Sequence, residues 1–393
     1  MQYADLRSKS ILCLGMGWFP QSPGGLNRYV YELIQSLTSQ HNLVEYCGIS
    51  IPKTSSVTGL QLTNLAAGDR SLPQRLWSVH QQFAQRQFVR PDAINLHFAL
   101  YSLPILRQLP ADVPVTFTFH GPWALESQQE GASQMAINLK HWIESRVFRR
   151  CDHFIVLSKA FGKILHEEYA IPWERIHIIP GGVDTHHFQA NLTRQQARAK
   201  LGWSSDRFIV FTPRRLVHRM GLDKLLTAVA EVRQSYPDIW LAIAGKGPLK
   251  DDLERQVSEL DLKHHVQLLG FVPDADLPIA YQAADLTIMP SQSLEGFGLV
   301  LVESLACGTP AVCTPIGGMP DVIGNLSPQL ITADREASTI AQTLKAILAA
   351  EVPLPTREAC RDYARQHFEW AAIAPQVRQV LLAEHQPHFT KKS

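Results

Sequence analysis

At 393 residues the chain is long enough for two ordinary domains, each with its own core. Its 37 Lys and Arg balance 36 Asp and Glu, a net charge of +1 that removes any bulk electrostatic drive toward nucleic acid. No apolar run is long enough to span a bilayer, and Cys13, Cys47, Cys151, Cys307, Cys313 and Cys360 are scattered without paired spacing, which reads as buried thiols in a reducing cytosol.

Lys9 precedes a run from Ser10 to Gly15 whose apolar part is too short for a signal-peptide core and reads as a first buried strand. It runs into a long loop with Gly15, Gly17 and Pro20 that lacks the third glycine of a dinucleotide fingerprint. The loop ends in Gly24-Gly25, at the start of a helix with apolar Val30, Leu33, Ile34 and Leu37. The first amides of a helix have no intrahelical acceptor, so this turn is a candidate anion site; a flexible turn is the plain alternative.

Ala93 to His97 and Val115 to Phe119 are β-prone runs, the second leading to His120-Gly121-Pro122-Trp123. Ligands of an open parallel sheet sit beyond the carboxyl ends of strands, where His120 is expected; for His97 a role satisfied by main chain is the favoured reading. Gln134 to Arg150 forms an amphipathic pattern with Trp142, Val147 and Phe148 beside Lys140, Arg146, Arg149 and Arg150. A core-facing helix with a solvated basic face is favoured over contact with anionic lipid head groups. His153 to Leu157 reads as a strand, and Ile176 to Asp184, with Pro180, Gly181 and Gly182, suits a hinge.

The second half repeats the alternation. Strands are expected at Phe208–Phe211, Trp240–Ala244, Val266–Leu269, Leu286–Met289 and Ala311–Cys313, and helices at 251–260, 274–283 and 297–307, the last stopped by Gly308 and Pro310. Between them lie Arg214-Arg215-Leu216, the loop Gly245-Lys246-Gly247-Pro248 and the turn Gly317-Gly318. A final helix carries Trp370, Ile373, Val377, Val380 and Leu381. Two β/α halves predict two Rossmann-like domains. The pairs His186-His187 and His264-His265 read as surface residues, with no zinc spacing around them.

The densest stretch is Pro290 to Glu303. Glu295 and Glu303 stand either side of Phe297, with seven residues between them and glycines at 296 and 298; Ala306-Cys307-Gly308-Thr309-Pro310 follows. This pattern resembles the signature of retaining glycosyltransferases of the family 4 type (glycosyl transferases group 1), which have the GT-B fold. The resemblance implies two facing Rossmann-like domains with parallel sheets: 1–184 as the acceptor-binding domain, joined by a C-terminal helix (370–393) that crosses back to it, and 185–369 as the donor-binding domain. It makes Arg215 the phosphate clamp, Glu295 the carboxylate near the donor sugar and Glu303 the acceptor for ribose hydroxyls. Gly24 and Gly25, with the main chain of Phe297, Gly298 and Leu299, would surround the diphosphate. Gly245, Gly247 and Pro248 would lie beside the base, and His120 near the reaction centre.

Two departures stand out. The family has Lys five residues after the clamp Arg, where this chain has Met220; the neighbouring Arg219 is the candidate replacement cation. Arg214 stands where the family has Gly, and is read as structural. The resemblance further implies a cytoplasmic enzyme without metal or cofactor, with peripheral contact at the inner membrane face as an option. It would move a hexosyl unit from a UDP- or GDP-sugar to a hydroxyl of a glycan, lipid or small molecule, in a front-face reaction. A catalytically silent nucleotide-sugar-binding subunit, with Met220 as its sign of decay, and a GT-B sugar epimerase stay open as alternatives.

Overall fold

Strands of a parallel sheet are buried on both faces and therefore read as continuous apolar runs. The computed structural model, which describes residues 8–87, 89–189 and 191–384, builds such runs into two units. The first runs to Gly182 and takes in the segment from Trp370; the second is Val183–Glu369.

The first unit has seven strands: β1 (Ser10–Leu14), β2 (Leu43–Ile49), β3 (Leu60–Ala66), β4 (Ala93–Leu96), β5 (Val115–Phe119), β6 (His153–Val156) and β7 (Ile176–Ile178). They pair in parallel in the order β3-β2-β1-β4-β5-β6-β7. Leu12, Leu14, Ile94, Leu96, Phe119 and Phe154 are fully buried in its core. Phe148 joins them edge-on, with ring centroids 4.8 Å from Phe117 and 5.5 Å from Phe154. The start of the expected hinge, Ile176–Ile178, is the edge strand of this sheet.

The helix Trp370–Leu381 packs in the same unit against the helix Gly25–Ser39. Trp370 Nε1 donates to Glu32 at 2.7 Å, and Gly182 lets the indole lie on the main chain, since an added Cβ would come 2.4 Å from the ring. The helix Gln134–Phe148 corrects one expectation. Ile143, Glu144, Val147 and Phe148 face the core, but Trp142 does not: it is 56% exposed, with Leu139 at 56% and Met135 at 80%. These three positions, four and three residues apart, form one outward stripe that Arg146 and Arg149 continue.

The second unit has β8 (Phe208–Pro213), β9 (Ile239–Ala244), β10 (Val266–Gly270), β11 (Leu286–Met289) and β12 (Ala311–Cys313), parallel in the order β10-β9-β8-β11-β12. The helix after β11 is Leu299–Ala306. It begins two residues later than expected because Gly298 is left-handed (φ 93°). Phe297 turns inward instead, 3% exposed and edge-on to Phe368.

In both sheets the direction of winding reverses once, between β1 and β4 in the first and between β8 and β11 in the second. Loops at the carboxyl ends of two such strands diverge and leave a crevice. No described helix is long and apolar enough to cross a membrane. Six free cysteines are all buried.

Candidate active site

In the second unit the crevice loops follow β8 and β11. The first carries Arg214, Arg215, Arg219 and Met220; the second carries Ser291, Glu295 and Phe297. Main-chain bonds tie them together: the Gln292 amide donates to the Arg219 carbonyl at 2.8 Å, and Gly221 sits so close to Pro290 that a Cβ would come 2.0 Å from its carbonyl oxygen.

Arg214, which the sequence alone reads as structural, reaches a carboxylate of the candidate site. Its Nη2 reaches Glu295 Oε2 (2.5 Å), Ser291 Oγ (2.7 Å) and Met220 Sδ (2.6 Å). The pair is mostly enclosed, with side-chain exposures of 8% for Arg214 and 13% for Glu295. Ser291 also donates to the same carboxylate oxygen at 3.3 Å, while Glu295 Oε1 has no partner among the described residues. The visible signal was that Arg214 and Met220 both depart from the motif, six residues apart.

Arg215 differs from its neighbour: it is exposed, and no described residue pairs with its guanidinium, so its charge is uncommitted. Arg219 is buried and donates from Nη1 to the Leu294 carbonyl at 3.1 Å, which holds the turn just before Glu295. Leu294 is itself left-handed (φ 49°). Glu295 is fixed from behind by Gly317-Gly318: the Gly318 amide donates to its carbonyl at 3.1 Å, and a Cβ on Gly317 would come 1.7 Å from that oxygen. Arg214 has a matching support, since a Cβ on Gly245 would come 1.9 Å from its carbonyl. Gly247 presses likewise on Leu216, at 2.3 Å. Both glycines thus set the β8 loop, while Pro248 beside them is exposed.

At the start of the helix Leu299–Ala306, the Leu301 amide turns back to the Gly298 carbonyl at 2.8 Å. The amides of Leu299 and Val300 have no recorded acceptor among the described residues, as first-turn amides characteristically do. Glu303 lies deeper on this helix, 7% exposed, and accepts from the Tyr281 hydroxyl at 2.7 Å.

In the first unit the crevice loops follow β1 and β4, and β5 is the next strand. The loop after β1 is anchored by Tyr46 Oη on the Gly17 carbonyl (2.6 Å) and by Asn27 on Gly17 and Ser22. It ends at Gly24 (φ 140°), where an added Cβ would meet nothing within 4 Å; Gly24 and Gly25 are both exposed. His120, beyond β5, lies with Nε2 3.1 Å from His97 Nδ1 and edge-on to Tyr29 at 4.9 Å. Packing on its faces strips water from the ring and pushes its pKa down to about 3, and burial followed by the neighbouring His120 takes His97 well below the ordinary histidine range. Both rings are therefore neutral near pH 7. The segment after His120 is held by Glu144, whose carboxylate accepts from the amides of Trp123 (2.9 Å) and Ala124 (3.2 Å) and from Tyr169 (2.7 Å).

The second unit offers cations and amide donors to an anion and carboxylates to hydroxyls; the first offers an open glycine turn and a neutral imidazole. Among the described residues, no group of three or more His, Cys, Asp and Glu side chains comes together as a metal-binding cluster.

Known proteins share this plan. The model of Glycosyltransferase Family 4 matches residues 23–187, and that of Glycosyl transferases group 1 matches 193–367. A D-inositol 3-phosphate glycosyltransferase of Corynebacterium aurimucosum is 27% identical over 91% of this chain and 90% of its own length. Among solved structures, sucrose-phosphate synthase of Thermosynechococcus elongatus superposes with a TM-score of 0.79 at 24% identity, covering 95% of this chain and 98% of that one. HepE of Anabaena, solved with UDP and glucose, gives 0.74 at 20% identity, covering 95% and 99%. With both family models matched in series and the two parallel-sheet units in place, the chain belongs to the GT-B glycosyltransferases of the family 4 and group 1 type.

Proposed function

We propose that this enzyme moves a hexosyl unit from a nucleoside-diphosphate sugar, UDP- or GDP-linked, to an acceptor hydroxyl with retention at the anomeric carbon. One observation carries the reading: the two strands flanking the switch point of the second unit end in an uncommitted cation, Arg215, and in a turn bearing Glu295 and the first-turn amides of Leu299 and Val300. Cations and amides suit the leaving diphosphate, where negative charge grows as the bond breaks. Carboxylates suit sugar hydroxyls, with Glu295 assigned to the donor hexose and Glu303 to the ribose. The backbone of Phe297, Gly298 and Leu299 faces the diphosphate, and Gly245, Gly247 and Pro248 border the base. Within the first unit, Gly24 and Gly25 are assigned as anion-binding amides and His120 as a neutral hydrogen-bonding group. That HepE, a protein of the same fold, was solved with UDP and glucose supports a nucleotide-linked donor.

The reaction balances without a protein nucleophile. The bond from the anomeric carbon to phosphate oxygen breaks, and its electron pair leaves with the diphosphate. The acceptor oxygen bonds to the same face, and its proton passes to the departing phosphate. Arg215 holds that charge in the transition state. The outward Met135, Leu139 and Trp142 stripe, continued by Arg146 and Arg149, supports a lipid-linked acceptor met at a membrane surface.

Incubation with a panel of UDP- and GDP-sugars, following nucleoside diphosphate release and the anomeric configuration of the product by NMR, tests this. Release with an α-donor giving an α-product is expected. An inverted product removes the retaining mechanism. Binding of UDP or GDP without turnover of any donor favours the silent subunit, which the uncharged Met220 would suit.

A further inference from the structure

We propose that Arg214 is a second cation of the diphosphate site, and that Met220 is uncharged to make room for it. The inference rests on the donor reading above. An arginine this enclosed, 8% exposed at the side chain, needs a reason to be charged there. Glu295 supplies one carboxylate oxygen, but the guanidinium keeps more donors than that uses. Three partners share Nη2, namely Glu295, Ser291 and Met220. Nε is buried with no acceptor, and Nη1 has none among the described residues. A guanidinium held by one nitrogen, with its others unfilled, is arranged to take an oxyanion as well.

Its position fits that use. Arg214 directly follows β8 on the switch-point side and bridges to the β11 loop, whose turn leads to the unfilled amides of Leu299 and Val300. Gly245 allows the approach behind its main chain. Arg214 and Glu295 offset each other in charge, which leaves Arg215 as the uncommitted cation of the empty site. When a diphosphate enters, the fork can serve phosphate on Nη1 while Nη2 still fixes Glu295 for the sugar. Arg214 then touches the leaving group and also orients the carboxylate beside it.

The Met220 contact makes the idea specific. The thioether sulfur lies 2.6 Å from Nη2 as a weak acceptor. A lysine ammonium at 220 would meet the same guanidinium, and like charges at that range oppose each other. Arginine at 214 and lysine at 220 are therefore alternatives, and Arg219, turned to the Leu294 carbonyl, is not needed as the substitute.

A two-residue swap decides the matter, with donor turnover measured beside the affinity for UDP and GDP by calorimetry. Arg214→Gly is expected to lower kcat/KM at least ~10²-fold. Met220→Lys alone is expected to weaken nucleoside diphosphate binding about tenfold or more, because the ammonium takes the place of the sulfur beside Nη2 and drives the Arg214 fork out of its contact with Glu295. The double variant Arg214→Gly with Met220→Lys should return kcat/KM to within about tenfold of native, which a merely structural arginine would not allow. The inference is overturned if the folded double variant is no better than Arg214→Gly, or if Met220→Lys alone gains activity. Should Arg214→Gly lose its fold in thermal unfolding, Met220→Lys in the native background carries the test, and unchanged UDP and GDP affinity there overturns it. A native protein that neither turns over a donor nor binds UDP or GDP sinks the donor reading itself; native turnover with an ineffective swap sinks only the role of Arg214.

Discussion

His97 Nδ1 lies 3.1 Å from His120 Nε2, so the residues that follow two adjacent strands, β4 and β5, form one imidazole pair. Two imidazoles share a hydrogen bond well when one donates and the other accepts, and protonation of both breaks it. Burial holds both pKa values below the ordinary 6.5, His120 at about 3. Between these limits the unfolded chain binds more protons than the folded one. The stability due to the pair is therefore full above pH ~6.5 and is lost as pH falls toward the folded values. Urea unfolding from pH 7.5 down to 4.5 should show a falling midpoint, and His120→Asn should make that fall shallower. The same slope in the variant would mean that other groups set the acid limb.

Arg215 and Arg214 are neighbours in sequence but should behave differently on removal. Arg215 is exposed and pairs with nothing described, so Arg215→Ala should leave stability within about 0.5 kcal/mol of native. Turnover should fall at least ~10²-fold if it holds transition-state charge. Thermal unfolding and steady-state kinetics on one preparation check both halves. Near-native turnover would remove Arg215 from the reaction.

How much of this was legible follows from the distance over which a pattern acts. The strands that carry the site, β1, β4, β5, β8 and β11, are short apolar runs, and local composition names them. So do the glycines and the paired glutamates, because motif and turn chemistry are local. The Arg214–Glu295 ion pair is not local: 81 residues separate its members, and it exists because β8 and β11 become neighbours. The His97–His120 pair depends in the same way on β4 beside β5. β2 and β3 went unread because Glu45 and Gly48 interrupt the buried run of β2, and Gln61, Thr63 and Asn64 leave β3 without a clear apolar run. Trp142 misled for a physical reason: its size argues for burial, but the helix turns Ile143 and Val147 inward and leaves no room on the core side for it.

The stripe of Met135, Leu139 and Trp142 makes a separable prediction. Flotation with vesicles containing phosphatidylglycerol should carry the native protein, and phosphatidylcholine vesicles should carry less, since Arg146 and Arg149 extend the stripe. Removing a side chain that buries roughly 1.5 kcal/mol of apolar surface should weaken binding about tenfold, so Trp142→Ser should reduce the bound fraction clearly. Fully soluble native protein with both vesicles would leave the stripe without a membrane role.

Gly317 tests whether the site depends on the placement of Glu295 rather than on its charge alone. Its φ is 62°, and a Cβ there would come 1.7 Å from the Glu295 carbonyl oxygen, a backbone atom that cannot swing aside as a side-chain tip can. Gly317→Ala must then move the main chain of Glu295 or abandon the left-handed turn, at a cost of about 1–3 kcal/mol. A shift of about 1 Å at a positioned group can lower turnover about 10²-fold, so kinetics should suffer more than the melting temperature suggests. Gly202 is the control: it is also left-handed, at φ 67°, but an added Cβ meets nothing within 4 Å, and it lies at the end of the helix Arg194–Leu201. Gly202→Ala should therefore lose stability from its φ alone and keep its turnover per folded molecule. Equal turnover in the two variants would show that Glu295 tolerates displacement, and that its carboxylate finds the sugar without the Gly317 turn behind it.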